Sequence, residues 1–155
     1  MKPLDRQFNV AVLHLAGMLH PTGFNVSDVA PNTLAEVNES IASGRLTVWS
    51  GASEATIFGD REVNYAFRAW HDWTHWRGQR PFTRDGEVAT ARDQQQHIRL
   101  VYGNGKISKR MQALVWAEVV GQLEYQELWG NFPTDQRAFV EAYLRDPGAA
   151  VKGVF

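Results

Sequence analysis

The stretch "WHDWTHW" at residues 70–76 constrains the fold more than any other part of the chain. It belongs to residues 61–77, which contain neither Gly nor Pro and follow Asp60, a residue type that caps helix N-termini. On a helix turning about 100° per residue, His71 and His75 lie ~40° apart, one turn from each other, and Asp72 lies ~100° from His71. Asn64 and Arg68 fall in the same sector. Asn64, Arg68, His71, Asp72 and His75 therefore form one polar stripe. Val63, Phe67, Trp70 and Thr74 flank it on one side, Tyr65 and Trp76 on the other, and Ala66 and Trp73 close the back. A helix that is apolar nearly all round is buried, so its stripe faces the interior of the protein. Ionisable groups in that position must be paired, hydrogen-bonded or metal-bound, because desolvating them alone is costly. The partner has to come from another element.

The next helix supplies one. Residues 85–102 have helical character and end at "GNG". Glu87 shares a face there with Ala91, Gln94, Ile98 and Val101, so it points inward as well. In the first turn a carboxylate is also favoured by the helix dipole. The break "GQRPFTRDG" is short enough to make the two helices near-antiparallel neighbours, between which His71, Asp72, His75 and Glu87 converge.

The chain has no Cys, which excludes disulfides, thiolate metal sites and Cys nucleophiles. A metal would be held by nitrogen and oxygen alone. Two imidazoles and two carboxylates suit a divalent ion, with Zn first and Fe or Mn as alternatives. Neutral imidazoles with two carboxylates also balance a 2+ charge, which a buried site needs. Asn64, Arg68, Gln94 and Tyr65 are the candidates to orient ligands or line a substrate pocket. With four protein ligands the site is closed and structural. With Asp72 acting as a base beside a three-ligand ion, the site is open and suits a Lewis-acid hydrolase, lyase or decarboxylase.

At 155 residues, with 44% hydrophobic and 21% charged residues, the chain is expected to form a single globular domain over 1–155. Helices are expected over 4–18, 33–43 (capped by "TLAE"), 61–77, 85–102, 106–129 and from Thr134 or Asp135 to about 145. Residues 21–32 read as a loop, and a short extended segment falls near 45–58. The fold class is all-α, a compact bundle of five or six helices.

"HDWTHWRGQRPFTRDGE", from His71 to Glu87, has the form His-Asp-x-x-His, eleven residues, Glu. It resembles the zinc-ligand motif of the coenzyme Q (ubiquinone) biosynthesis zinc protein family. Pro81, Gly86 and Arg68 also fall where that family tends to have them. The match covers about twenty of the 155 residues. It implies that His71, Asp72, His75 and Glu87 ligate zinc in a helical protein. The family itself is longer and is implicated in modifying the ring of a quinone precursor. The chain is similar, too, to small proteins encoded by tailed bacteriophages.

Three function classes remain open. The first is a helical metalloprotein that acts as an enzyme on a small organic substrate. The second is a non-catalytic interaction or assembly protein with a structural metal or polar cluster. The third is a metal-dependent phosphohydrolase, which needs His20 and Asp93 beside the His-Asp doublet. Asp93 falls on the outer helix face. Half of the Lys and Arg residues lie between 77 and 110, but Asp85, Glu87 and Asp93 interleave with them, so a solvated surface fits better than nucleic-acid binding. Glu118, Glu124 and Glu127 could approach a metal from the third long helix, yet no Glu-x-x-His pair marks a dinuclear site. His97 lies ~80° off the Glu87 axis and reads as a surface or interface residue. Partners are a small molecule or a protein rather than a membrane, and the expected location is the cytoplasm, that of the host if the chain is phage-encoded.

Overall fold

The computed structural model describes all 155 residues. The chain opens with α1 (Arg6–Leu19), capped by Asp5, whose carboxylate accepts from Phe8 N–H. Phe8, Ala11, Val12, Leu15 and Ala16 are its buried positions, the i, i+3, i+4 rhythm of a helix with one apolar face. A small β-α-β unit follows. Strand β1 (Asn25–Ser27) and strand β2 (Thr47–Trp49) pair in parallel, Val26 opposite Val48, and α2 (Leu34–Ala42) connects them. Thr33 caps α2 by accepting from Glu36 N–H, as the "TLAE" pattern predicts.

The strand β1 lies inside the segment expected to be a loop. Its three residues are mostly exposed and carry no alternation, so only the pairing across α2 creates it. The extended segment expected over 45–58 is regular only at β2; residues 50–60 run through bends and turns.

Next come α3 (Arg61–Gly78), α4 (Arg84–Tyr102) and α5 (Lys106–Trp116). The expected continuous helix over 106–129 is interrupted by a π-helical turn (Ala117–Gly121) before α6 (Gln122–Trp129). At Gly121 a Cβ would meet the Tyr143 ring at 3.0 Å, so bare backbone there lets α7 (Gln136–Arg145) pack close. The last expected helix ends at Arg145, and Pro147 then opens a further short helix, α8 (Pro147–Val151), in whose first turn a missing N–H costs nothing, with Asp146 as the cap.

Two apolar clusters explain why α3 is apolar on nearly every side. The larger joins Phe8, Phe58, Phe67, Trp70, Ile98, Leu114 and Phe139 across α1, α3, α4, α5 and α7. The smaller joins Val37, Leu46, Val48, Tyr65 and Ala69 against α2 and β2. Helix α3 lies between the two, so the fold is mainly α around a central helix. No helix is long and apolar enough to cross a membrane.

The start of α3 rests on Asp60, whose Oδ1 accepts from Glu62 N–H at 2.8 Å. Asp60→Ala removes that acceptor and should lower stability by about 1 kcal/mol. A denaturant midpoint equal to that of the wild type would show that the cap does not matter.

Candidate metal centre

Helices α3 and α4 bring three side chains to one point. His71 Nε2 lies 3.0 Å from Glu87 Oε2, His75 Nε2 lies 3.3 Å from the same oxygen, and the two Nε2 atoms are 3.1 Å apart. His71, His75 and Glu87 thus form a group that could hold a metal ion, with their ligand atoms within 4.8 Å of one another. In a tetrahedral zinc site with bonds of ~2.0–2.1 Å, ligand atoms stand ~3.3–3.4 Å apart. The observed triangle is only slightly tighter.

Both imidazoles are aimed by carbonyl oxygens. His75 Nδ1 donates to the Arg80 backbone carbonyl at 2.8 Å, and His71 Nδ1 donates to Gln94 Oε1 at 2.8 Å. With the proton of each neutral ring on Nδ1, each Nε2 is left as a lone-pair donor facing the group, which is how outer partners prepare metal-binding histidines. Phe82 stacks on His75, ring centroids 4.0 Å apart and 11° from parallel, and His75 is wholly buried.

The loop that supplies Arg80 and Phe82 is itself tied down. The Arg80 guanidinium pairs with Asp93 on α4 at 3.0 Å. Gln79 ends α3 in the left-handed conformation. Thr83 caps α4 by accepting from Gly86 N–H.

The electrostatics couple these groups strongly. Burial alone lowers the His71 imidazole, but Glu87, Asp72 and Gln94 outweigh it and hold it up at about 9. Burial opposes ionisation of Glu87, yet His71 and His75 pull its carboxyl well below the usual range. In the metal-free protein, then, Glu87 is a carboxylate facing a protonated His71.

Asp72 is not in the three-residue group. Burial pushes its carboxyl up to about 6, against the pull of His71 and His75. Gln94 is fully buried and orients His71, while its amide Nε2 has no hydrogen-bond partner. Asn64, Tyr65 and Arg68 all fasten the loop after β2. Asn64 Nδ2 donates to Ser53 Oγ at 3.0 Å, Tyr65 Oη to the Ser50 carbonyl at 3.4 Å, and Arg68 to the carbonyls of Trp49 and Gly51 at 2.5 and 2.6 Å. Arg68 also lies over the Trp49 ring.

His20 bonds the Ala69 carbonyl and Asp93 holds Arg80, so neither joins the group. His97 accepts from Trp70 Nε1 and is half-buried beside Trp73.

A cleft of about 820 Å³ opens onto the group. His71, Glu87, Phe67, Phe82, Arg68, Asn64 and Trp49 line one part of it, and Glu118, Gln122 and Gln126 line another. Trp70, Trp73 and Trp76 do not border it. Trp70 belongs to the main core, and Trp76 packs against the smaller cluster. The rings beside the metal group are phenylalanines.

Glu118 stands on the π-turn, and its Oε1 is buried with no hydrogen-bond partner. Burial pushes its carboxyl up to about 8, while Arg68 and Gln122 pull the other way. In the sequence it is one of three acidic residues on a long helix; the turn that brings it to the cleft has no local signature. The Arg80 carbonyl leaves no trace in the sequence either, being backbone.

Comparison of the chain with protein-family models, curated proteins and solved structures finds no match.

Proposed function

We propose that the chain is a small helical metalloprotein that holds one zinc-like divalent ion on His71, His75 and Glu87 and uses it as a Lewis acid on a small organic substrate. The observation that carries this reading is the triangle of ligand atoms at 3.0–3.3 Å with both Nδ1 atoms anchored by carbonyls. Two His and one Glu is a catalytic rather than a structural zinc set, because it leaves a coordination position open. Here His71 and Glu87 border a cleft able to admit a ligand. Asp72 adds negative charge beside the two imidazoles and helps to balance the ion. The motif's resemblance to the coenzyme Q biosynthesis zinc proteins favours zinc over iron or manganese.

The test is metal analysis of chain stripped and then dialysed against zinc. One tightly bound equivalent is expected in wild type, and less than a tenth of an equivalent in His75→Ala and Glu87→Gln. A wild-type chain that retains no zinc overturns the proposal. One equivalent retained by both variants moves the ion away from these residues.

A further inference from the structure

The cleft holds a second ionisable group besides the His71–Glu87 pair. Glu118 projects from the π-helical turn between α5 and α6. Such turns recur at functional sites because they shift side chains out of the register a regular helix would give. One of its oxygens is buried without a partner, which is costly and calls for an explanation. The group that faces it with opposite charge is Arg68 on α3, but the nearest acceptors of that guanidinium are the carbonyls of Trp49 and Gly51. Glu118 is therefore not locked in an ion pair, and although Gln122 hydrogen-bonds to its carboxyl, the fold leaves Oε1 without a partner.

The rest of the lining describes what would fit. The carboxamides of Asn32, Gln122 and Gln126 offer paired donors and acceptors, and Trp49, Phe67 and Phe82 offer flat apolar faces. Carboxamides match the donor-acceptor pair of an amide or the acceptor of an ester, and the rings match its apolar substituents. Glu54, Glu87 and Glu118 also line the cleft, against Arg68 and His71 as its basic residues, which disfavours a phosphorylated or otherwise polyanionic ligand.

We propose that Glu118 is the proton-transferring residue of this cleft and that the substrate is a neutral acyl compound, an amide or ester, cleaved by water. The inference rests on the metal reading above. A bound ion would polarise the acyl oxygen and acidify water in the cleft. In its carboxylate form Glu118 takes one proton from the attacking water as the new oxygen–carbon bond forms and the carbonyl π pair moves to the acyl oxygen. As that pair returns, the carbon–nitrogen or carbon–oxygen bond breaks. Its electrons go to the leaving atom, which receives the proton from Glu118. Water is added across the acyl bond, and nothing is oxidised or reduced.

The experiment uses the full chain loaded with zinc, its stoichiometry measured first, with para-nitrophenyl acetate and a terminally blocked dipeptide as probes. Glu118→Gln keeps the size of the side chain and cannot carry the proton. It should bind one zinc as wild type does, and should lower kcat by about 100-fold or more with KM changed less than about threefold. In ¹³C NMR of the zinc-loaded wild type, the Glu118 carboxyl resonance should shift when the blocked dipeptide is added. Equal kcat in wild type and Glu118→Gln overturns the role of Glu118. So does a wild type that holds zinc but neither cleaves a probe nor shows the shift, and in that case the metal reading stands. A wild type that holds no zinc overturns both proposals.

Discussion

Gly86→Ala is expected to cost about 3 kcal/mol or more in stability and to abolish zinc binding without touching a ligand. A methyl group at this position would lie 1.8 Å from the Pro81 carbonyl oxygen and 2.9 Å from its carbon. The obstacle is backbone, not the end of a flexible side chain, so relief requires the loop over 79–83 to move. That loop carries the Arg80 carbonyl that aims His75 and the Phe82 ring that stacks on it. Gly86 also precedes Glu87, so either half of the group must shift. Differential scanning calorimetry and zinc titration check the two consequences separately. A variant with wild-type melting and one bound zinc would show that the close approach is not needed. Gly17, with nothing within 4 Å of its Cβ position, is the matched control.

The second large effect is a dependence of zinc affinity on pH. His71 is held up at about 9 in the metal-free protein, so below that value zinc must displace a proton from it. Glu87 is already ionised above the ordinary carboxylate range and adds no slope there. Apparent affinity should then rise about tenfold per pH unit, or about 100-fold from pH 6 to 8, and level off near 9.

The stability of the metal-free chain should move the other way. For a raised imidazole, the stabilisation is complete below its ordinary value of 6.5 and is lost as pH rises through about 9. For the lowered Glu87 carboxyl, it is present above the ordinary 4.5 and is lost only on strong acidification. From pH 6.5 to 9, therefore, the metal-free protein weakens while zinc binding strengthens. The gap between the melting temperatures of the two forms should widen across that window. Calorimetric titration in buffers of different ionisation enthalpy should detect about one proton released per zinc at pH 7. No proton release would mean that His71 is neutral before the metal arrives.

Much of this site could be read from local rules. His71 and His75 are a turn apart on one helix, and Glu87 lies on the inward face of the next. Both follow from helical periodicity alone. Asp72 shows the limit of the same rule. At ~100° from His71 it belongs to the stripe, yet the structure places it outside the three-atom triangle. Asn64, Tyr65 and Arg68 belong to the same helix, but the loop after β2 folds back over them and takes up their polar atoms. No pattern within residues 61–77 encodes where that loop goes.

The sequence by itself determined most of the helices, the caps at Asp60 and Thr33, the nearly all-round apolar character of α3, and the facing of two imidazoles towards one carboxylate. These are short-range properties, set by φ/ψ preference, capping chemistry and the 3.6-residue repeat. The tertiary structure alone decided the strand β1, the carbonyl of Arg80 as the anchor of His75, and the cleft. It also decided that Glu118 reaches that cleft from a π-turn. Each of these depends on which backbone and side-chain atoms meet when distant elements dock, and on the steric fit at Gly86 and Gly121 that lets them approach.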